Sequence, residues 1–305
     1  MNTATALPAA TVSSNAALKT LRSAAMERVG ALAAPNTHDE AWRFTSLAAL
    51  NRQTLHTVQA ATPLQPSDIA RWIIPEAAQR IVFVDGVHAP QLGSSVSASA
   101  VTVTTLAQAL ATHPQALTAH LGQHASDPQQ RFTALNTAHL FDAAIVIAPR
   151  NTAAGTLVHL LFVATQPDVS TYPRTLVIAE EGSNLSLIED YVTLTDGAYF
   201  TNTVTEVALG ANAHVVHIRL QRESPSAFHI ARCALTQAHA SHYHGISIAL
   251  GAEISRLDTT AQQRGEGTHC ALDGLAHIAG QQVADTHTCI THAQPHGTSR
   301  QLHKC

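Results

Sequence analysis

The sequence is short of charge and of aromatic rings. Only 12% of its 305 residues are charged and 4% are Phe, Trp or Tyr, and the net charge is −4 with histidine neutral. No basic stripe is available for a phosphate backbone, which excludes nucleic acid as a partner. No apolar run approaches the roughly 18 residues that cross a bilayer, so a membrane helix is excluded too. Cysteine is scarce: Cys233, Cys270, Cys289 and Cys305 lie late in the chain, with no CxxC pair. Neither a secreted disulfide framework nor a zinc ribbon is spaced in this way, and a reducing, cytoplasmic compartment fits. The motifs GxSxG, GxxxxGK(S/T) and a GxGxxG between strand and helix are all missing. "RGEGTH" (264–269) supplies only G-x-G and reads as a turn.

What is present divides near residue 141. Residues 1–28 are rich in Ala, Ser and Thr, with only Lys19, Arg22 and Arg28 basic, and lack the apolar core of a signal peptide. They read as a disordered start leading into a helix, on which Leu18, Leu21, Ala25, Val29 and Leu32 recur at helical spacing. In "EAWRFTSLAAL" (40–50), Trp42 and Phe44 are expected to anchor a loop to the helices. At 80–93, Asp85-Gly86 between apolar runs signals a small β-hairpin. Residues 104–122 are helical with Leu106, Leu110, Leu117 and Leu121 on one side, and Pro114 must restart or kink that helix. "RFTALNTAHL" (131–140) is a further short helix. The N-terminal region 1–140 is thus mainly helical.

From 141 to 305 the helical spacing gives way to short alternating runs, as in Val216, Ile218 and Leu220 against His217 and Arg219. The separators are too short for crossover helices. "EGSNLSLIED" (181–190), "LGANAHVVHI" (209–218) and "LGAEISRLDT" (250–259) resemble one another, at unequal spacings of 28 and 41 residues. Unequal spacing disfavours a propeller and favours a β-solenoid whose stacked turns bury a narrow apolar channel. A β-sandwich is the alternative that alternation leaves open.

Twelve of the twenty histidines follow residue 210, so a metal site has to be weighed. Strand geometry argues against one, because neighbouring side chains take opposite faces. His287 and Cys289 share a face while His292 takes the other, and His269 and Cys270 diverge. His242 and His244 share a face but supply only two of the three or four ligands zinc needs. These residues read as solvent-facing or wall residues, with cysteine acting as a small hydrophobe. A polysaccharide-cleaving β-helix is disfavoured as well, since Trp42 and Trp72 lie in the helical half and the strands hold few carboxylates.

Four stretches converge on one family. "EAWRFTSL" (40–47), "VFVDGVHAPQLG" (82–93), "FTALNTAHLFDAAIVIAP" (132–149) and "LDGLAHIAGQQVADTHTCITHAQPHGTSRQLHK" (272–304) resemble the SufB/SufD family of Suf iron–sulfur cluster assembly scaffolds. "SRQLHK" (299–304) after "DTHT" (285–288) tilts the resemblance to the SufD branch. The resemblance implies a right-handed parallel β-helix preceded by helices, a non-catalytic scaffold role, and pairing with SufB through the β-helix. It further implies a C-terminal helical domain that docks the ATPase SufC, and an assembled complex associated with an Fe–S cluster and reduced flavin. Against that pattern the chain is expected to be truncated at Cys305, inside the β-helix and without the C-terminal helical domain. The family's Cys-x-His-Gly stretch is absent, so no catalytic residue and no metal ligand is carried over, and cofactor-binding residues are left unassigned. The rival readings are a His/Cys metal-binding β-solenoid enzyme and a partner-agnostic β-helical interaction module.

Overall fold

The computed structural model describes residues 12, 15–58, 60–95, 99–153 and 155–305. The expectation for the start of the chain falls on residues 1–14 and, Val12 apart, lies outside them. The first long helix, Ala16–Ala31, begins where the Asn15 side chain accepts the Leu18 N–H at 3.1 Å and buries Leu18 and Ala25. Arg131 caps its far end, donating to the carbonyls of Val29 and Leu32. Further helices follow at Ala48–Asn51, Leu106–Thr112, Pro114–His120 and Arg131–Ala138. The break falls at His113, as the proline requires, and Leu106, Leu117 and Leu121 are buried on both sides of it.

Five short strands are threaded among these helices: β1 (His56–Thr57), β2 (Gln79–Val84), β3 (Val87–His88), β4 (Ser94–Ser95) and β5 (Thr102–Thr105). β2 and β3 form the expected hairpin, closed by Asp85 (φ 49°) and Gly86 (φ 81°), both left-handed as a two-residue hairpin turn demands. β2 then runs parallel to the first strand of its sheet that follows, so the N-terminal segment is welded to the rest.

From residue 144 onward, strand follows strand among the described residues. The strands are β6 (Ala144–Ala148), β7 (Leu157–Ala164), β8 (Val169–Thr171), β9 (Arg174–Ala179), β10 (Asn184–Thr193) and β11 (Phe200–Leu209). They continue as β12 (His214–Arg222), β13 (Phe228–Gln237), β14 (His242–Ala249), β15 (Ile254–Gln263), β16 (His269–Ala276), β17 (Val283–His292) and β18 (Thr298–Lys304). One sheet is ordered β17-β15-β13-β11-β9-β6-β5 and the other β18-β16-β14-β12-β10-β7-β2-β3. The chain alternates between the two sheets and pairs in parallel with the turn before, giving a β-solenoid of about six turns. Parallel pairing throughout these turns rules out the sandwich.

Each turn is 27 to 30 residues along the second sheet, from the pairs Asn184↔His214, His214↔His242, His242↔His269 and His269↔Thr298. One left-handed residue marks the same corner of each turn: Asn151, Gly182, Asn212, Ala240, Gly267 and His296, with φ between 49° and 68°. The unequal repeat spacing is now explained. The segments at 181 and 209 lead into β10 and β12 of the second sheet, whereas the one at 250 sits at the opposite corner and leads into β15 of the first. There Gly251 is obligatory, because a Cβ would lie 2.3 Å from the Glu223 carbonyl oxygen of the turn below.

Between the sheets, Val146, Val177, Val207, Leu160, Leu187 and Val215 form a dry core kept narrow by alanines 144, 179, 213, 231 and 261. Removing the side chain of one such leucine costs about 2–5 kcal/mol. Trp42 packs on Phe132 of the helix Arg131–Ala138, 5.4 Å between ring centroids, and shares a cluster with Phe200, Phe228, Ile230 and Ile254 of the solenoid, with the Arg256 guanidinium 3.9 Å over its ring. Here the aromatic expectation needs one correction. Trp42 joins the loop to a helix and to the strands, whereas Phe44 is 85% exposed.

Candidate functional site: a charged network inside the solenoid

In the middle turns of the solenoid the apolar lining of the interior gives way to ionisable side chains. Glu189 and Tyr191 come from β10, His217, Arg219 and Gln221 from β12, His229 and Cys233 from β13, and Tyr243 from β14. Glu223 enters from the corner after β12. They share the interior because strand alternation sends 217, 219 and 221 inward and leaves Val216, Ile218 and Leu220 on the outer face. Ionisable groups taken this far from water must be paired.

The pairing is nearly complete. Thr205 donates to both Glu189 oxygens, at 2.9 and 3.0 Å. Nε2 of His217 lies 3.3 Å from Glu189, close enough for an ion pair though off the line of a hydrogen bond. Nδ1 of His217 meets the Tyr243 hydroxyl at 2.8 Å, and that hydroxyl lies 3.7 Å from the Cys233 sulfur. In the other half, Arg219 donates to Nε2 of His229, and Nδ1 of His229 meets Glu223. Glu223 also accepts from Thr201 at 2.8 Å and Gln221 at 3.1 Å. Tyr191 joins the halves: its hydroxyl reaches Glu189 at 3.4 Å, and its ring lies 4.9 Å from His229 and 5.1 Å from the Arg219 guanidinium.

Electrostatics follows from these contacts. Burial alone would raise the Glu189 carboxyl, but His217, the Thr175 hydroxyl and Arg219 bring it down to about 2. Burial opposes the charge on His217 as well, yet the Cys233 sulfur and the Glu189 carboxylate raise it to about 9. Glu223 is held below the usual carboxylate range despite burial, by His229, Gln221 and Thr201. Burial and the Arg219 charge hold His229 below the usual imidazole range in spite of Glu223. Since Arg219 can only donate, Nε2 of His229 is the acceptor and its proton sits on Nδ1, facing Glu223. At neutral pH the interior therefore holds two carboxylates, one guanidinium and one imidazolium, and their charges cancel. Voids of only about 30 and 20 Å³ adjoin the two halves, each the size of one water molecule.

A second buried pair lies outside the barrel, under the helices. Arg174 donates to Glu206, to Asn136 at 3.0 Å and to Thr137 at 3.2 Å. Glu206 also accepts the backbone N–H groups of Gly122 and His124 at 2.9 Å and of Ala125 at 3.2 Å. The pair pins the helical segment to the solenoid wall.

Of the cysteines and histidines weighed individually as metal ligands from sequence, Cys233 borders this network and the others lie elsewhere. Cys233 and Cys270 are buried in the core, while Cys289 and Cys305 are exposed. His242 stacks outside the second sheet between His214 and His269, at 4.5 and 5.7 Å between ring centroids. His244 pairs with Asp273 at 2.7 Å, His287 with Asp285 at 2.9 Å, and His292 meets Ser299 at 3.3 Å. Among the described residues no group of three His, Cys, Asp or Glu side chains is placed to hold a metal ion. Alternation groups residues 217, 219 and 221 on one face of β12, but only the structure shows that this face is the interior.

Comparison with known proteins gives this architecture its relatives. Residues 162–305 match the family model described as "SUF system FeS cluster assembly, SufBD core domain", and residues 8–160 match "SufBD protein N-terminal region". The chain is similar to an iron–sulfur cluster assembly SufBD family protein of Synechocystis sp., 36% identical over 93% of this chain and 65% of that one. It is also similar to the iron–sulfur cluster assembly protein SufD of Escherichia coli, 30% identical over 88% of this chain and 62% of that one. The chain thus spans somewhat less than two thirds of the length of either relative. No helix among the described residues is long and apolar enough to cross a membrane.

Proposed function

The chain belongs to the SufBD family of iron–sulfur cluster assembly proteins, and from that premise we propose that it is a non-catalytic scaffold subunit. In this reading its solenoid pairs with a SufB-like subunit, and it works in the cytoplasm with the ATPase SufC. The cluster is cargo of the assembled complex, and reduced flavin is an associated cofactor of that complex rather than of this chain alone.

One observation supports the scaffold reading over an enzyme. The ionisable side chains that would make a catalytic centre are spent on one another inside the solenoid, beside voids that admit a single water molecule. A substrate has no room there, whereas a rigid, charge-balanced core suits a stacking platform.

The test is reconstitution. The chain, co-expressed with SufB-like and SufC-like subunits from the same genome, is expected to co-purify with the SufB-like subunit and to support cluster transfer to an apo-ferredoxin. Failure of that pairing with well-folded partners overturns the scaffold reading. Stoichiometric metal on the anaerobically purified chain alone, surviving dialysis and lost in His287→Ala, favours a metalloenzyme instead.

A further inference from the structure

The stretch 114–125 carries two histidines that the interior network does not use. His120 closes the helix Pro114–His120, and His124 follows in the loop. Nδ1 of His120 lies 3.1 Å from Nε2 of His124, with ring centroids 5.4 Å apart and planes within 15° of each other. The rings therefore meet edge to edge in nearly one plane, nitrogen facing nitrogen. A head-on contact of this kind holds one proton and not two. The other nitrogen of His124 continues the chain to the Thr236 hydroxyl of β13 at 3.0 Å. Because a hydroxyl both donates and accepts, the chain closes in either direction while the rings are neutral.

This chain ties the helix to the solenoid at the rim of a cleft of about 820 Å³, lined also by Gln115, Gly210 and His239. The loop beyond it has its own anchor, since Glu206 of β11 accepts the N–H groups of Gly122, His124 and Ala125 and is paired with Arg174 of β9. Gly122, at φ 76°, is the first residue of that anchored loop, and the extended C-cap Leu121 lies between it and the helix. The other charged groups around the cleft are Arg264 after β15, Glu180, and the Arg150–Glu181 pair at 2.8 Å.

We propose that His120, His124 and Thr236 form an acid-released clasp. With the rings neutral it holds the helix Pro114–His120 against β13. With both rings protonated it opens at the Leu121 C-cap, ahead of Gly122, while Glu206 keeps the loop in place. Burial lowers the proton affinity of both rings and Glu206 partly restores it, while His120, Arg264 and Arg174 lower that of His124 further. A depressed folded-state histidine contributes stability that is present above its ordinary value of about 6.5 and is lost as pH falls below it. Opening thus belongs to the acid side.

Amide hydrogen exchange on the full chain at pH 7.5 and 5.5 tests the clasp, after correction for the intrinsic effect of pH. Protection of the Leu117–Leu121 amides is expected to fall between the two pH values beyond that correction, while Gly122, His124 and Ala125 stay protected. His124→Gln, which can still bond Thr236 but does not titrate, should abolish the step, and His242→Gln on the outer stack should keep it. Unchanged wild-type protection, or the same step in His124→Gln, overturns the proposal. So does a wild-type NMR titration in which the two rings protonate independently at their ordinary value.

Discussion

His217 and His229 are both buried inside the solenoid, and each faces a glutamate, yet their proton affinities move in opposite directions. His217 is raised to about 9 and His229 is lowered. Burial opposes the charge on both rings, so it does not decide between them. The second ring nitrogen does. In His217 that side of the ring faces the Cys233 sulfur and the Tyr243 hydroxyl, both of which can accept, so both nitrogens can carry protons. In His229 it meets Arg219, which can only donate and is itself positive. A carboxylate neighbour is therefore a poor guide to the charge of a buried histidine until the other nitrogen's partner is known.

The contrast is broken most forcefully by Arg219→Met. It removes the guanidinium that helps balance the interior carboxylates and frees Nε2 of His229. The expected cost is about 3–5 kcal/mol in urea denaturation at pH 7, the range for removing one member of a buried ion pair. The His229 ring resonance should also titrate at higher pH than in the wild type. A cost under about 1 kcal/mol with no change in that titration would refute the assignment.

Next in size is Glu189→Gln, expected to cost about 2 kcal/mol through loss of charged hydrogen bonds and to lower the His217 titration. It also sharpens a pH prediction. A raised histidine contributes stability that is fully present below its unfolded value of about 6.5 and is lost as pH rises toward its folded value. The wild-type urea midpoint should therefore decline as pH rises from about 6.5 through about 9, and the decline should flatten in Glu189→Gln. An unchanged alkaline slope in the variant would count against the His217–Glu189 pair.

Tyr243→Phe removes only the neutral partner and should cost about 1 kcal/mol, with His217 titrating lower. Smallest of all is His242→Ala on the outer stack, expected within about 0.5 kcal/mol of wild type. A larger loss there would mean that the exposed histidine stack holds the turns together.

Much of the fold was legible in the sequence. Asp85-Gly86 announced its hairpin, Pro114 its helix break, and the alternation after 141 its stacked strands. The face assignments of His287, Cys289, His292, His269 and Cys270 followed from alternation and agree with the positions of these side chains. The interior network was not legible. In β12 the alternation is plain but its sense is inverted, with His217, Arg219 and Gln221 inside and Val216, Ile218 and Leu220 outside. Hydropathy assigns the apolar set to the core, and only partners on other turns reverse that assignment. Glu189 is 28 residues before His217, and Tyr243 is 26 after it, so no local window holds the pairs. Phe44 fails for a related reason: spacing that buries Trp42 gives no warning that the ring two residues on stays in solvent.

The residues of the network belong to five consecutive strands of the wall, β10 to β14, with β11 supplying Thr205 and Thr201. A solenoid that gained its turns one at a time would pass through states in which Glu189 or Arg219 lay between sheets without its counter-charge. Those states are penalised by desolvation, so the middle turns should form and melt as one cooperative block. In ordinary stacked-repeat proteins stability is close to a sum over neighbouring units. Here each neighbouring pair of turns also shares buried charges whose partner is lost if one turn is missing, so the middle of the barrel should fold and melt as one unit.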